Sequence, residues 1–325
     1  MDYTWILKRA FEITKKYRIL WFFGLFAGTA SLGGNFNAQI PQGEKWGKAH
    51  DLFREMEHGG EIAHVLTTSV ILAIVAAVLL VTIVLLILRY VSLTALPRAI
   101  DRIESGDEEM SFSSVWKLGW SRRAWTVLGI GLVALFLILA VLLIVLLPFL
   151  FVFFNVDTIS AGAFLKVLPF ALLGLIVFVA VLIAVGLVTR FAQYHAAVVG
   201  TNVFDSIGWS IKAIKDNLGS VLLMWVIMIG VNILAGLVVL MGAVVFLIAT
   251  VIFAGGIGWV LWKTVGEVWG IVAGVSLGLV TLLVPLLVLS GAVGAYKVTA
   301  WVLMYRELRQ EESTYVPGAE AEPVA

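Results

Sequence analysis

A serine flanked by glycines is the segment of this chain that most resembles a catalytic motif. Residues 274–278 read Gly-Val-Ser-Leu-Gly and match the G-x-S-x-G pattern of serine hydrolases. That chemistry needs a strained strand-to-helix turn that presents the serine, and a histidine base within hydrogen-bond reach. The pattern lies instead in an apolar run of helical length, and Gly270, Gly274 and Gly278 follow the four-residue spacing that lets helices approach closely. We therefore interpret the glycines as a helix-packing surface and keep a hydrolase as the alternative.

Three residues close together in the sequence could bind a divalent metal: His58, Glu61 and His64. Metal ligands on one helix face stand at i and i+3 or i+4. Glu61 and His64 have that spacing, but Gly59-Gly60 predicts a helix break below His58, so a solvated loop is the favoured interpretation. The chain has no cysteine, no P-loop and no H-E-x-x-H pattern. The sequence thus predicts no metal site, no cofactor and no enzymatic activity.

Three cations stand at the ends of apolar runs, each beside an aromatic residue: Arg89, Arg190 and Lys297. Long cationic side chains in this position extend to lipid phosphates, which makes all three candidates for contact with lipid headgroups. General topology anchoring is the favoured interpretation, and specific headgroup contact is the alternative. Asn232 is the most polar side chain deep within an apolar run. It is interpreted as an interhelical hydrogen-bonding group, with a solute cavity as the alternative.

The composition shows why these motifs must lie in or beside a membrane. Of the 325 residues, 61% are hydrophobic and 13% charged, and the mean hydropathy is +1.05. In soluble domains about a quarter of the residues are charged. The lower charged fraction of this chain indicates that much of it is surrounded by lipid. The net charge of +1 gives no reason to expect a nucleic-acid partner.

Apolar runs of about 20 residues, the length that crosses a bilayer, recur along the chain. They predict an all-α integral membrane protein with six transmembrane helices in a single domain, residues 1–309, followed by a disordered cytoplasmic tail, residues 310–325. The fifth run, 219–254, has no charge and is ended before Gly255-Gly256, with a tilt or a break allowed. The predicted spans are 19–34, 62–88, 125–154, 167–189, 219–245 and 269–290.

The basic residues orient these spans. With six crossings and a cytoplasmic N-terminus, 17 of the 22 Lys and Arg residues lie inside, against 10 if the short first segment does not cross. Because basic residues favour the cytoplasmic side, we predict a multi-pass protein of the cell membrane with both termini cytoplasmic. A cleaved signal peptide is the alternative for the N-terminal segment.

A similar element precedes each odd-numbered span: a basic, aromatic and amphipathic segment that runs directly into the apolar helix. This repeat predicts three hairpins, each entered through a cytoplasmic interfacial helix whose cations face anionic headgroups. The alternative is the basic loop chemistry of any multi-pass protein. The cations of these segments that we predict at the headgroups are Lys15, Lys16, Arg122, Arg123, Lys212 and Lys215.

The segments from Trp5 to Phe26 and from Val203 to Trp225 resemble a class of uncharacterised bacterial multi-pass membrane proteins. That class is similar to the membrane domain fused to some bacterial glycerophosphodiester phosphodiesterases. The chain has no room for the soluble phosphodiesterase barrel and lacks its acidic and histidine metal ligands. The resemblance therefore implies a membrane domain and carries no catalytic residue to this sequence.

Two functions from different classes fit this pattern. The favoured one is a non-enzymatic bacterial inner-membrane protein whose basic cytoplasmic surface engages anionic lipid or a partner protein, the partner being another membrane protein or a second copy of the chain. The other is a facilitator or permease for a small uncharged or amphiphilic solute, with a cavity that includes Asn232.

Overall fold

The computed structural model describes residues 1–28, 61–107, 110–155 and 161–314. Within these residues it is helical, with no strand. The helices are α1 (Tyr3–Lys16), α2 (Leu20–Gly28), α3 (Glu61–Glu104), α4 (Phe112–Gly119), α5 (Arg122–Asn155), α6 (Ala161–Val198), α7 (Val203–Asp216), α8 (Leu218–Thr250), α9 (Gly256–Thr264) and α10 (Glu267–Thr314).

Five helical segments in the described part of the chain are long and apolar enough to cross a membrane. They contain the whole or most of the predicted second to sixth spans. The predicted first span, 19–34, corresponds to the nine-residue helix α2 up to Gly28, and its remainder lies outside the described residues. Helix α10 continues to Thr314, beyond the point at which the tail was predicted to begin, and 315–325 also lie outside the described residues.

The helical segment that contains the predicted fifth span is longer than 219–245. Helix α8 passes through a π-helical stretch, Val251–Gly255, directly into α9, so that the continuous segment Leu218–Thr264 has 47 residues. Two adjacent glycines do not end it, because glycine weakens a helix by only about 1 kcal/mol. The helical segment ends instead before Gly266, which has a φ of +137°. Glycine adopts this angle readily, whereas other residues adopt it only with strain.

The core of the molecule lies at one end of the helical bundle. The apolar middle sections of α3, α5, α6, α8 and α10 are largely exposed, as expected where lipid takes the place of a protein neighbour. Burial is concentrated in the C-terminal sections of α3, α6 and α10, with the short amphipathic helices packed around them. The largest side chains sealed in this core include Trp301, Tyr305, Phe191 and Phe23.

The amphipathic segments α1 and α7 have the same burial pattern. Positions 3–18 and 203–218 agree residue by residue in being buried, half-buried or exposed. Each short helix packs against a long helix that ends nearby: α4 against α3, α7 against α6, and α1 against α10. The last contact joins the first helix of the described chain to its last helix.

Helix α2 crosses α10 with backbone against backbone. A Cβ atom at Gly24 would collide with Ala295 N and Gly291 O, and one at Gly294 would collide with Gly24 O. Gly28 is in similarly close contact with Gly294. Small residues allow this approach in lipid, where dispersion contacts rather than the hydrophobic effect hold helices together.

Candidate functional site

Lys297 is buried in the bundle core and its side chain bonds to Asn232. It lies on α10, is only 1% exposed, and its Nζ donates a hydrogen bond to Asn232 Oδ1 at 3.0 Å. Sequence analysis singled out both residues but did not pair them. The structure brings the predicted headgroup cation and the predicted interhelical hydrogen-bonding group together in one contact between α8 and α10.

Arg190 lies beside this contact on α6. Its guanidinium carbon is 4.7 Å from the ring centroid of Trp301, one helical turn beyond Lys297 on α10. Phe191 meets the same indole edge-on at 5.8 Å. Arg190 therefore contacts α10 one helical turn from Lys297, and no carboxylate of the described residues forms an ion pair with either cation.

The third cation of this predicted set is in a different environment. Arg89 is exposed on α3 and forms no ion pair within the described residues. The structure thus places Arg190 and Lys297 together and Arg89 apart from them, although all three stand beside an aromatic residue in the sequence.

The cations of the amphipathic segments divide in the same way. Arg123 is half-buried and caps α6, since its Nη1 donates to Ala197 O at 2.9 Å and to Val198 O at 2.7 Å. Cations at helix C-termini compensate the unpaired carbonyls there. The other five are exposed at the surface: Lys15, Lys16, Arg122, Lys212 and Lys215.

Ion pairs join the helix ends around the core. Arg9 Nε lies 2.8 Å from Glu104 Oε1, and this hydrogen bond with the carboxylate raises the pKa of Arg9 above its usual value. Arg306 Nη1 lies 3.0 Å from Asp101 Oδ1. These contacts place α1 and the C-terminal sections of α3 and α10 at the same end of the bundle.

A buried histidine, His195, was not predicted as a functional residue from the sequence. His195 on α6 is stacked on Trp209 at 4.3 Å, and its Nδ1 shares a hydrogen bond with Tyr305 Oη at 3.2 Å. A single histidine in an apolar run has no partner visible in the sequence, because Trp209 and Tyr305 come from two other helices. This arrangement anchors α7 to α6 and α10.

The glycines around Ser276 pack against α9 and the end of α8, as predicted. A Cβ at Gly274 would lie 3.4 Å from Gly258 Cα, and one at Gly270 would lie 2.6 Å from Trp262 Cβ. Ser276 itself is exposed. The side chains of the predicted metal trio, His58, Glu61 and His64, lie outside the part of the chain that the structure describes.

These features define an all-helical membrane protein with a set of polar contacts at one end of its bundle. The chain belongs to DUF7544, a family of unknown function, whose model matches residues 11–311. No curated protein and no solved structure matches it. Nothing therefore links the chain to the membrane domain of glycerophosphodiester phosphodiesterases, and that part of the resemblance stays a prediction.

Proposed function

We propose that this protein is a non-enzymatic bacterial inner-membrane protein whose exposed basic surface binds anionic lipid. In this proposal six transmembrane helices form three hairpins and both termini are cytoplasmic. We call the exposed cations of the amphipathic segments the basic collar; its members are Lys15, Lys16, Arg122, Lys212 and Lys215. Arg123 is left out because its hydrogen bonds hold α6.

The observation that carries the proposal is the outer face of α1 and α7. Phe11 is 60% exposed one helical turn before Lys15, and exposed Ile211 stands one turn before Lys215. An apolar side chain beside a cation suits the boundary between acyl chains and anionic headgroups. Phe204, which is 78% exposed near the start of α7, extends the apolar part of this face.

The orientation rests on the charge distribution. The collar and the ion-paired ends of α3 and α10 are at one end of the bundle, and most basic residues of the chain fall on that side under the six-span topology. The positive-inside tendency makes this end cytoplasmic. Anionic lipids are abundant in the cytoplasmic leaflet, so the collar and its lipid would meet there.

The alternative is a facilitator for a small uncharged or amphiphilic solute. Asn232 is the side chain that would favour it, because it is half-buried between helices. Its Oδ1 is occupied by Lys297, which makes it less available to a solute. A partner protein on the collar is a further outcome of the experiment below.

The experiment compares the intact protein with a variant in which the five collar residues are replaced by Gln. Each cation near an anionic surface contributes about 1 kcal/mol, screened over a Debye length of about 10 Å at 0.1 M salt. Stabilisation by phosphatidylglycerol over phosphatidylcholine, measured by thermal shift or native mass spectrometry, should fall strongly in the variant, and most at low salt.

Lys263→Gln is a suitable control, since Lys263 is exposed in the last turn of α9 and is not a member of the basic collar. A folded five-Gln variant that kept the wild-type preference for anionic lipid would refute the proposal. If that variant instead lost a co-purifying protein and kept its lipid preference, the collar would be a protein-binding surface.

A further inference from the structure

The pair of cations at the core differs from the collar in exposure, since Lys297 is buried and Arg190 is half-buried. Lys297 is almost completely enclosed, and Arg190 stands over the ring of the buried Trp301. Enclosing two like charges costs free energy, because each loses hydration and each repels the other. Such pairs normally persist only where an opposite charge compensates them.

The described residues supply no such opposite charge. Asn232 gives Lys297 a neutral carbonyl oxygen, and Trp301 gives Arg190 the face of a ring. Neither neutralises a charge. The acids of the same end are engaged elsewhere, since Asp101 pairs with Arg306 and Glu104 with Arg9.

Arg190 retains hydrogen-bonding capacity. A guanidinium has five N–H donors in a planar fork, and none of them donates to a described residue. No side-chain nitrogen of the described residues is both sealed from solvent and without a partner, so the Arg190 donors can be reached from outside. A planar fork beside an ammonium group is the donor arrangement that suits a phosphate group.

We propose that Arg190 and Lys297, with Asn232 holding the lysine in place, form a binding site for a phosphate group. Both cations lie in the C-terminal parts of the apolar segments Leu172–Val198 and Glu267–Gln310, and long cationic side chains near the ends of such segments extend to lipid phosphates. The phosphate is carried by an anionic lipid or is free in the cytoplasm. This site deepens the proposed function but does not rest on the collar, because the two sets of cations share no residue.

The test uses the full-length protein, purified in detergent and freed of bound lipid. Phosphatidylglycerol, phosphatidylcholine and inorganic phosphate are titrated separately, and binding is followed by native mass spectrometry and thermal shift. Arg190→Gln and Lys297→Met remove the two charges with little change of volume, and Arg102→Gln, at an exposed arginine of α3 outside both cation sets, is the matched control. We expect about tenfold or greater weakening of phosphatidylglycerol or phosphate binding in the first two variants, and no change in the control.

The direction of the change in melting temperature of Lys297→Met provides a second test. Lys297→Met removes the repulsion on Arg190, so without ligand its melting temperature should equal or exceed that of the wild type. Binding of phosphatidylglycerol alone identifies a lipid headgroup as the source, whereas binding of inorganic phosphate as well identifies a free phosphate.

Three results would overturn the proposal: no binding of either anionic probe by the wild type, unchanged binding in both site variants, or equal losses in Arg102→Gln and Arg190→Gln. The salt dependence separates this site from the collar. Binding at the enclosed pair should persist at high salt in the five-Gln collar variant, because buried charges are screened much less than exposed ones.

Discussion

Gly24 is the position at which the smallest added side chain should do the most damage. A Cβ there would lie 2.6 Å from Ala295 Cβ and still closer to the backbone of α10. Carbon atoms prefer separations of about 3.5–4.0 Å, so α2 and α10 would have to move apart by about 1 Å. Overpacking of this kind costs about 1–3 kcal/mol, and the better helix propensity of alanine returns up to about 1 kcal/mol. We expect Gly24→Ala to lower the free energy of unfolding by about 1–2 kcal/mol.

The assay is thermal unfolding of the purified protein in detergent, followed by tryptophan fluorescence. Gly236→Ala in α8 is the matched control, because a Cβ at Gly236 meets nothing within 4 Å. Its stability should equal or slightly exceed that of the wild type. If Gly24→Ala were as stable as this control, α2 would not pack on α10, and the reasoning that makes the first segment part of the bundle would be refuted.

Three further predictions follow from the topology and the packing. A reporter fused at Gly43 should be external, and a cytoplasmic signal there would remove the first crossing. Gly274→Leu should destabilise the protein by collision with α9, whereas Ser276→Ala should leave its melting temperature unchanged; a hydrolase activity abolished in folded Ser276→Ala would contradict the packing interpretation. Arg123→Gln should cost about 1–3 kcal/mol through loss of two charged hydrogen bonds to α6. Exposed Arg122→Gln should change stability by less than about 0.5 kcal/mol, and equal effects would exclude the capping role.

The helices and the repeat could be predicted from the sequence because both depend on local patterns of residue types. A run of about 20 apolar residues marks a membrane helix wherever it packs. The alternation of buried and exposed positions in α1 and α7 follows from the amphipathic spacing of each segment alone. The length of α8 and α9 was not accessible, because glycine is a weak signal for a helix end and the π-helical stretch leaves no pattern of its own.

The candidate site could be predicted only in part, because it is formed by contacts between residues of different helices. Arg89, Arg190 and Lys297 share the same local pattern, a cation beside an aromatic residue. Which of them is enclosed is decided by the crossing of α6, α8 and α10, and Asn232 is 65 residues from its partner Lys297. The anchoring of His195 between Trp209 and Tyr305 was hidden for the same reason.

The division of the bundle into a packed end and an apolar remainder has a physical cause. Within lipid, apolar side chains gain little by leaving their solvent, so helices associate there through small residues, as at Gly258 and Gly274. Where the helices emerge into water, burial of apolar surface becomes favourable, and the large side chains of the core gather at that end. Polar groups enclosed by this packing must then find partners. Lys297 shows this at the packed end, where its enclosed ammonium group donates a hydrogen bond to Asn232.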